Sequence, residues 1–417
     1  MPATLRPARR VPPSAEVVAL GRRHGLDAVG VAPAVDFATT RRHLERRKAA
    51  GLHAGMRFTY LRPERSCDPS RALPGARALV VAARGYRRAD GGAAGTAARD
   101  HDGRPGDAGG GAGPRPTSAG PPTGAAAPPV GRVARYAWDD HYGPLRDALT
   151  EVARSLRADG WRARVLADDN ALVDREAAYR AGLGWYGKNA NLLLPGRGSW
   201  FVLGSVVTDA PLAPTGRRVD DGCGTCTRCL DGCPTGAIVA PGVVDARRCL
   251  AWLLQVEGPF PREHRVALGA RLYGCDDCQE VCPPNRRSER HDAAPPAGEG
   301  AQPTVDLLDL LAARDDELLD RHGRWYVPRR QARYLRRNAL VVLGNVADPG
   351  DRRVVAALRR ALVDDDGLVR AHAVWAARRL GRDDLLPGGP RRPGGLGGPD
   401  DPDPLVRDEL TAPVEPR

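Results

Sequence analysis

The spacing of apolar and polar residues predicts alternating helices and strands in the first half of the chain. Apolar positions at helical intervals predict helices over residues 14–25, 36–50, 143–159 and 171–181. Short apolar runs predict strands over residues 26–32, 77–84, 163–166 and 198–208. Ser14 is predicted to cap the first helix and Gly25 to end it. Helices and strands that alternate in this way indicate an α/β domain.

Three segments lack the apolar side chains that a core requires. Residues 88–131 contain Gly, Ala, Pro, Asp and Arg and almost no large apolar residue. Such a segment buries too little surface to offset the entropy lost on ordering, so we expect a disordered insert with His101 solvated in it. Similar compositions predict a linker over residues 287–303 and a disordered tail over residues 384–417.

An internal repeat marks the C-terminal part of the chain. The run that begins at Leu335 recurs from Val369, about 34 residues further on, with an Asp-Pro turn between. Repeats of this period predict HEAT-like stacking of helices. We therefore expect an α+β multidomain protein. Its segments are the α/β domain over residues 1–220, a cysteine-rich domain over 221–286, helical repeats over 300–383 and the tail.

The cysteines carry the strongest chemical signal. A run of the form C-x2-C-x2-C-x3-C-P begins at Cys223, and this is the bacterial ferredoxin spacing for a [4Fe–4S] cluster. A second run ends at Cys282-Pro283 and lacks only its first cysteine, which Cys249 upstream can supply. In two-cluster ferredoxins the fourth cysteine of each run binds the other cluster. The predicted ligand sets are Cys223, Cys226, Cys229 and Cys282 for one cluster, and Cys233, Cys249, Cys275 and Cys278 for the other.

Zinc and disulfides are the competing interpretations of these cysteines. Zinc ribbons use paired C-x2-C knuckles without a third cysteine at the same spacing. Disulfides need an oxidising compartment, and Arg9-Arg10 is followed by Val-Pro-Pro rather than by the apolar stretch of an export signal. No apolar run reaches the ~18 residues that a membrane span needs, so we expect a cytoplasmic protein. Cys67 is predicted to be a lone thiol.

The chain is strongly basic. Its formal net charge is +12, carried almost wholly by arginine. This charge is typical of proteins that bind nucleic acid, whereas a genome rich in G and C would explain the preference for arginine without a partner. Five arginines near the repeats predict either a phosphate-binding helix face or a solvated one. They are Arg329, Arg330, Arg333, Arg336 and Arg337, and Trp325-Tyr326 before them could stack on a base or pack in the core.

The α/β domain lacks the standard nucleotide-binding motifs. No G-x-G-x-x-G turn joins a strand to a helix, and Gly182 is predicted to be a helix C-cap. His141 lies in an incomplete D-x-H-x-x-G motif and is predicted to be a helix-start or core histidine. Asp168, Asp169 and Asp174 cluster before the glycine turn. A desolvated carboxyl there could donate a proton, and helix N-capping by Asp169 is the alternative.

Together these motifs resemble the epoxyqueuosine reductase family, the cobalamin-dependent iron–sulfur enzymes of tRNA queuosine synthesis. The resemblance runs from about residue 14 to residue 382, interrupted by the insert. No single motif is specific enough alone. The motifs are Arg180-Ala-Gly-Leu-Gly-Trp-Tyr-Gly-Lys-Asn189, Gly198-Ser-Trp-Phe, Cys233-Pro-Thr-Gly-Ala-Ile, Asp245-Ala-Arg-Arg-Cys249, Tyr273-Gly-Cys-Asp-Asp-Cys and Arg337-Asn-Ala-Leu.

The resemblance implies a nitroreductase-like domain that binds cobalamin without a histidine ligand and clusters that reduce it. It implies reduction of epoxyqueuosine to queuosine at the wobble position of tRNA, with the anticodon arm held by the helical repeats. Asp168 would be the proton donor. Asp169 and Asn170 stand where the family usually has Thr and Gly, so Asp169 is the neighbouring candidate. The cobalamin contacts implied by position are Arg65, Ala134, Asp168, Leu192, Leu203 and Ala251.

Further expectations concern partners and alternatives. We expect a monomer that takes electrons from an external donor. A reductive dehalogenase also couples cobalamin to two clusters, although such enzymes usually carry a twin-arginine signal and lack a HEAT-like tail. A non-catalytic electron carrier would bind no cobalamin, and an RNA-binding scaffold with structural clusters would not turn over an epoxide-bearing tRNA.

Overall fold

The computed structural model describes residues 9–88, 127–291, 295, 298, 300–386 and 396–415. Most of the predicted insert, including His101, lies outside these residues. The strands are β1 (Ala28–Pro33), β2 (Ala78–Gly85), β3 (Val130–Val133), β4 (Ala163–Ala167), β5 (Trp185–Tyr186), β6 (Leu192–Leu193), β7 (Phe201–Thr208), β8 (Ile238–Ala240), β9 (Val243–Val244), β10 (Arg271–Tyr273) and β11 (Thr304–Asp306).

The α-helices of the described residues are α1 (Ser14–Arg23), α2 (Ala38–Ala49), α3 (Pro63–Ser66), α4 (Pro69–Ala72), α5 (Tyr142–Ala158), α6 (Asp174–Arg180), α7 (Arg228–Asp231), α8 (Leu250–Leu253), α9 (Arg262–Leu268), α10 (Asp277–Glu280), α11 (Pro283–His291), α12 (Leu307–Ala312), α13 (Asp315–Arg321), α14 (Arg333–Val346), α15 (Arg352–Ala361), α16 (Gly367–Arg379) and α17 (Pro404–Thr411). Short 3-10 helices lie at Arg135–Ala137, Pro328–Arg330 and Asp383–Leu385. None of the described helices is long and apolar enough to cross a membrane.

The main sheet has the order β1-β2-β7-β4, and all of its neighbouring strands are antiparallel. The helices and strands predicted for the first half of the chain are present, with ends shifted by a few residues. Their alternation along the chain pointed to an α/β domain, in which strand–helix–strand units give parallel pairs. Here every pair in the main sheet is antiparallel, and neighbours in space such as β2 and β7 are far apart in sequence. The domain is therefore α+β, as expected for the protein as a whole.

Helices cover both faces of this sheet. On one face Val80 packs with Leu149 of α5 in a buried cluster that also contains Val17 of α1. On the other face Leu79 and Val81 share a buried cluster with the residues of α2 and α6. Because successive side chains of a strand point to opposite faces, the apolar run of β2 serves both layers. This three-layer packing fixes the end of β4, where the predicted acid residues lie.

A second, smaller sheet joins three distant parts of the chain. β3 pairs in parallel with β10 and antiparallel with β11. The predicted disorder over residues 88–131 is therefore wrong at its end, because Val130 and Gly131 belong to β3. A Cβ atom on Gly131 would lie 2.6 Å from the Cβ of Leu272, so only glycine lets the strands approach this closely.

The prediction for the cap of the first helix is half wrong. Pro13, not Ser14, is the N-cap residue of α1. The Ser14 hydroxyl instead donates a hydrogen bond of 2.7 Å to the carbonyl of Ala213. Gly25 lies just beyond the helix at φ +85°, in the left-handed conformation that ends helices, as predicted.

The C-terminal part is helical, and it extends further than predicted. The two repeated runs form α14 and α16, whose buried residues belong to one core. The predicted linker is wrong at its start, because α11 continues to His291. The predicted tail is also wrong for residues 396–415. There α17 follows Asp401, whose carboxylate pairs with the buried Arg370, and an internal ion pair of this kind holds a polar segment in place.

Candidate active site and cluster ligands

Asp168 stands at the end of β4 in a strained conformation. Its φ is +54°, in the left-handed region that L-residues other than Asn and Asp seldom adopt. Its side chain is exposed at a surface bordered by Tyr142, Tyr273 and Asp174, which we call the cleft. The surrounding protein still partly desolvates the carboxyl and raises its pKa. The guanidinium of Arg146 opposes this rise in pKa. The same arginine donates a hydrogen bond of 3.1 Å to the carbonyl of Ala167, which holds it beside the strand end.

The two residues after Asp168 have structural tasks. The Asp169 carboxylate accepts a hydrogen bond of 2.9 Å from the amide of Ala171, which closes a tight turn. The Asn170 side chain accepts from the amide of Thr59 at 3.3 Å. The Asp168 carboxylate has no hydrogen-bond partner among the residues that the structure describes. The geometry thus separates the two candidate acids, with Asp169 in the turn and Asp168 at the cleft.

Further acidic and phenolic groups lie around Asp168. Asp174, at the start of α6, is half-buried, and burial followed by the charge of Asp168 raises its pKa well above the usual range. Burial also raises the pKa of the Tyr142 phenol, and the charges of Asp168 and Asp174 raise this pKa further. A carboxylic acid that keeps its proton in such surroundings can donate it to a reacting oxygen.

Tyrosines from two segments form one side of the cleft. The rings of Tyr136 and Tyr273 lie 6.3 Å apart, and Gln255 donates a hydrogen bond of 3.1 Å to the Tyr136 hydroxyl. The charge of Asp168 contributes to the raised pKa of Tyr273, after burial, which places this ring near the acid. The backbone amide of Ala134 donates a hydrogen bond of 2.8 Å to the carbonyl of Tyr273. Two of the predicted cofactor contacts, Ala134 and Ala251, therefore lie against this tyrosine side. The carbonyl of Ala251 accepts a hydrogen bond from the same Gln255 side chain that donates to Tyr136.

The other predicted cofactor contacts lie on the sheet side. Leu192 is buried and Leu203 half-buried, and both side chains pack in the core on that face of the sheet. They could meet a ligand in the cleft mainly through their backbone atoms. Arg65 is exposed on α3, and the next residue, Ser66, donates a hydrogen bond of 2.7 Å to the carbonyl of Asn170. This bond ties α3 to the loop that carries Asp168.

His141 does not face the cleft as a free ligand. It is 3% exposed, forms the N-cap position of α5, and its ring lies 5.6 Å from that of Tyr86. Burial lowers its pKa to about 4, so the imidazole is neutral at ordinary pH. The prediction of a helix-start or core histidine is confirmed in both respects.

The first predicted cluster set comes together in space. After burial, the Cys223 and Cys226 thiols are among the causes that raise the pKa of Cys229. Burial raises the pKa of Cys282 to about 11, with the same three thiols as electrostatic neighbours. The loop between the first two cysteines is held by Lys188, whose ammonium donates to the carbonyls of Gly224 and Cys226 at 2.7 and 2.9 Å.

The second predicted set is assembled in part. Burial raises the pKa of Cys278, and the nearby sulfurs of Cys249 and Cys233 raise it further, so these three cysteines are electrostatic neighbours. The sulfur of Cys233 accepts a backbone hydrogen bond of 3.2 Å from Ala237. The Cys275 thiol instead donates to the Asp277 carboxylate at 2.7 Å. Cys275 lies two residues before α10.

The chemistry of these residues fits iron–sulfur clusters. All nine cysteines are free thiols, and Cys67 is fully buried away from the two sets, with burial raising its pKa to about 12. Within the described residues, no three His, Cys, Asp or Glu side chains converge closely enough to hold a single metal ion. A [4Fe–4S] cluster needs a wider arrangement, because each cysteine binds a different iron atom.

Comparison with known proteins identifies the family. The family described as a 4Fe-4S double cluster binding domain matches residues 222–285, which contain all eight predicted ligands. The epoxyqueuosine reductase of Xanthomonas campestris is 33% identical over 384 residues, covering 88% of this chain and 96% of that protein. The chain belongs to the epoxyqueuosine reductase family. Its cysteine-rich segment is a double [4Fe–4S] domain within a mixed α and β fold.

Solved epoxyqueuosine reductases share the fold across almost the whole chain. One crystal structure, with a tRNA-Tyr epoxyqueuosine-modified tRNA stem loop, has a TM-score of 0.75 at 26% identity and covers 95% of this chain and 96% of that chain. Another, from Bacillus subtilis, has its aspartate catalytic loop swung out of the active site. Its TM-score is 0.73 at 26% identity, with the same coverage of both chains.

In this member of the epoxyqueuosine reductase family, the five arginines expected on one exposed helix face do not share such a face, because Arg329 and Arg330 precede α14 and Arg337 is buried in it. Arg337 is fully buried, and its guanidinium donates to the carbonyls of Leu253, Leu254, Val256 and Gly258. Arg329 pairs with Glu257, Arg333 with Asp366 and Arg336 with Asp315, while Arg330 donates to the carbonyl of Gly323. Trp325 is buried in the core and Tyr326 is exposed. These arginines bind the protein itself because segments distant in sequence pack around α14.

Several residues near the candidate site of this epoxyqueuosine reductase family member carried no clear signal in the sequence. Tyr136, Tyr142 and Tyr273 border the cleft, but they come from three separate segments and show no common spacing. Lys188 carried a usable signal, because a chain with only two lysines keeps one inside a glycine-rich turn. Asn189 lies beside it and donates a hydrogen bond of 3.2 Å to the carbonyl of Cys278.

Proposed function

We propose that this chain reduces epoxyqueuosine to queuosine at the wobble position of tRNA, with Asp168 as the proton donor. The observation that carries the proposal is the Asp168 carboxyl. It lies at a strand end facing the cleft, it has no hydrogen-bond partner among the described residues, and its pKa is raised by burial. The epoxyqueuosine reductase of Bacillus subtilis likewise has an aspartate on its catalytic loop.

The reaction converts an epoxide to an alkene and water. Both carbon–oxygen bonds break, a carbon–carbon double bond forms, and two electrons and two protons are consumed. Protonation of the departing oxygen assists the opening of the epoxide, and Asp168 supplies that proton. Because its side chain is open to the cleft, Asp168 can take up a proton from water and donate again. Burial raises the pKa of the nearby Asp174 well above its usual range, which favours its neutral form and limits the negative charge beside Asp168.

Two [4Fe–4S] clusters and cobalamin are the cofactors. Cobalamin, when bound, would supply a strongly reducing cobalt centre, and the two clusters would supply single electrons for its reduction. We assign one cluster to Cys223, Cys226, Cys229 and Cys282, and the other to Cys233, Cys249, Cys275 and Cys278. The residues that would hold cobalamin on this nitroreductase-like scaffold are Arg65, Ala134, Asp168, Leu192, Leu203 and Ala251. His141 is packed in the core, which agrees with a cofactor that lacks a protein histidine ligand.

The substrate of this reaction is the anticodon arm of a tRNA. The wobble base lies in a single-stranded loop, where it can be turned out into a cleft. The basic charge of the chain favours such a partner, and HEAT-like stacking of α14, α15 and α16 would offer it an extended surface. We propose the boundaries 1–220, 221–286 and 300–383 for the three working domains. A monomer in the cytoplasm, where tRNA is modified, is the corresponding state.

The test is an anaerobic reaction of the reconstituted protein with cobalamin, a reductant and tRNA bearing epoxyqueuosine. The released nucleosides are analysed by mass spectrometry. We expect the modified nucleoside to lose the mass of one oxygen, only when cobalamin is present. Asp168→Asn should lower the rate of conversion by about 10²–10⁴-fold, whereas Asp169→Asn, which preserves the turn-closing oxygen, should retain it.

Each other result selects a different function. Cobalamin binding without any change in the nucleoside would overturn the substrate, and release of halide from an aromatic halide would then establish the dehalogenase alternative. Reduction of the clusters in a protein that binds no cobalamin would leave a non-catalytic electron carrier. Conversion at the wild-type rate in Asp168→Asn would overturn the assignment of the acid while keeping the reaction.

A further inference from the structure

An open cavity lies directly beside the first cluster set. Its volume is about 870 Å³, and its lining includes the half-buried Cys223 and Cys226. Arginines from two helices complete the lining, namely Arg228 at the start of α7 and Arg286, Arg287 and Arg290 along α11. We call this feature the arginine cavity. It places a concentrated positive charge next to two half-buried cluster ligands.

The charge of the arginine cavity is not neutralised by the residues that the structure describes. Arg228, Arg287 and Arg290 are exposed and form no ion pair with a described residue, whereas Arg329, Arg333 and Arg336 each do. Arg286 bonds only to the carbonyl of Glu280, through its Nε atom. The one carboxylate in the lining, Asp221, accepts the amide of Cys223 at 2.9 Å and so shapes the loop. Repulsion between like charges makes such a group costly unless a partner uses it.

The arginine cavity and the cleft lie beside different cluster sets, which defines a path for electrons between them. The second cluster set borders the tyrosine side of the cleft. Gly274, which precedes Cys275, packs so closely against Ala134 that a Cβ atom added to this glycine would lie 2.5 Å from the Cβ of Ala134. The first set opens on the arginine cavity instead. No residue of the Asp168 loop, α5 or β10 is part of the cavity lining. Electrons entering at Cys223 and Cys226 would therefore reach the cleft through both clusters.

We propose that the arginine cavity is the docking site for an acidic electron-transfer protein that delivers single electrons to the cluster bound by Cys223, Cys226, Cys229 and Cys282. The inference rests on the proposed function in that a reduction in the cleft consumes the electrons. Charge complementarity selects the partner, since an acidic surface around a redox centre is attracted to an unpaired basic cavity. Close docking is required because electron tunnelling falls steeply with distance.

RNA fits this surface less well. Single-stranded nucleic acid is bound by basic grooves in which aromatic side chains stack on the bases, and the described lining of the arginine cavity contains none. The bound tRNA must also place its wobble base near Asp168, whose loop takes no part in the cavity. A protein donor needs neither feature.

The test measures electron transfer without tRNA or cobalamin. The protein with reconstituted clusters is mixed anaerobically with an acidic flavodoxin in its hydroquinone form, and cluster bleaching is followed by stopped-flow absorbance. In each encounter the flavin hydroquinone is oxidised to the semiquinone and one cluster gains one electron. The test variant is Arg287→Glu/Arg290→Glu. The control is Arg22→Glu/Arg23→Glu, which reverses two exposed arginines near the end of α1 and changes the net charge equally.

We expect the test variant to lower the second-order rate by about 10-fold or more at low salt, and the difference to shrink as salt is raised. The control variant should keep the wild-type rate. The affinity of oxidised flavodoxin for the cluster-loaded protein should fall in parallel. Reduced methyl viologen, a small cation that needs no docking site, should reduce all three proteins equally.

Several outcomes would overturn the proposal. Equal flavodoxin rates for wild type and test variant would do so, as would an equal loss in the control. An unchanged flavodoxin rate together with weaker binding of a tRNA stem loop would assign the surface to RNA. If viologen reduction also fell, the neutral pair Arg287→Gln/Arg290→Gln would decide, because it leaves the helix without new charge. Since no step requires epoxide turnover, failure of the proposed function would leave these results interpretable.

Discussion

Among single residues, Asp168 combines a left-handed backbone conformation with a raised pKa. A left-handed conformation costs an L-residue about 1 kcal/mol, and Asn or Asp bears it best. The pairing of Ala167 with Gly204 before it and the Asp169 turn after it hold this conformation in place. The strain keeps the carboxyl at the cleft instead of in the turn. A residue under strain at the mouth of a site is a common sign of function.

Asp168→Asn should lower the single-turnover rate of epoxide reduction by about 10²–10⁴-fold, the usual contribution of a general acid. Asparagine tolerates the left-handed conformation, so the thermal unfolding midpoint should hardly change. Asp169→Asn should stay within a few-fold of wild type because its amide oxygen can still accept from Ala171. Equal losses in the two variants would mean that the turn, not the acid, had been tested.

The pH dependence of the rate should report the Asp168 carboxyl. Burial raises its pKa, so the rate should hold at low pH and fall as pH rises through that pKa, above the range of an ordinary aspartate. Arg146 favours the carboxylate, and Arg146→Gln should therefore move the falling limb to higher pH. Arg146→Lys, which keeps the charge, should leave the limb near its original position. A limb that ignored both changes would belong to another group.

At the level of helices and strands, the C-terminal segment is held by buried ion pairs. Arg370 donates two hydrogen bonds to Asp401, at 2.8 and 2.7 Å, and both side chains are at most 4% exposed. Arg265 similarly binds the carboxylate of Glu409 in α17. A buried charge that loses its partner is strongly destabilising, so these pairs explain why a Pro- and Asp-rich tail is ordered.

Asp401→Ala should lower the free energy of unfolding by about 3 kcal/mol, near the low end for a buried pair because this one lies just beneath the surface. Although burial alone would raise it, the hydrogen bonds from Arg370 lower the pKa of Asp401. Its contribution is therefore present above the unfolded-state pKa and is lost as pH falls through the folded one. Urea unfolding at pH 7 and at about pH 3 would measure this.

The control for that measurement is Asp383→Ala. Its pair with Arg378 is long, 3.9 Å, and the carboxylate is 66% exposed, so the loss should stay below about 1 kcal/mol. A comparable loss in the two variants would show that the tail is held by something other than its buried charges.

Helix periodicity predicted where α14 lies but not which of its faces are covered. The repeat beginning at Leu335 located the helix, and its arginine spacing favoured a shared exposed face. Arg337 is instead enclosed by carbonyls from residues 253–258, and burial lowers its pKa to about 9. A sequence pattern records the period of a helix, whereas the segments that pack around it come from elsewhere in the chain. The same limit hid the buried partner of Asp401.

Across the whole molecule, the two cysteine runs are interleaved rather than stacked one after the other. Ferredoxin spacing predicted seven of the eight proposed ligands, because cluster geometry fixes their separation along the chain, and Cys249 was added as the cysteine upstream of the second run. Cys282 from the second run lies with the first three cysteines of the first run, as that rule requires. The tyrosine side of the cleft could not be predicted in this way, because β10 and the segments after β3 approach only in the folded protein.

Interleaving makes a distinctive prediction for paired cysteine substitutions. Cys229→Ala/Cys282→Ala removes two ligands of the same set and should leave one cluster, with about four irons per protein. Cys229→Ala/Cys233→Ala removes neighbours in sequence that belong to different sets and should impair both clusters. Iron analysis and electron paramagnetic resonance of the reduced proteins distinguish these cases. One intact cluster in the second variant would mean that each run binds its own cluster.

The small sheet of β3, β10 and β11 also sets an order of events during synthesis. β3 leaves the ribosome early, and its two partner strands follow much later. β10 is made after five of the eight cluster cysteines, before Cys275, Cys278 and Cys282. β11 is made after all eight. Pairing over such long separations is slow to form. A nascent chain therefore contains its complete set of cluster cysteines before β11 pairs with β3 and completes the small sheet.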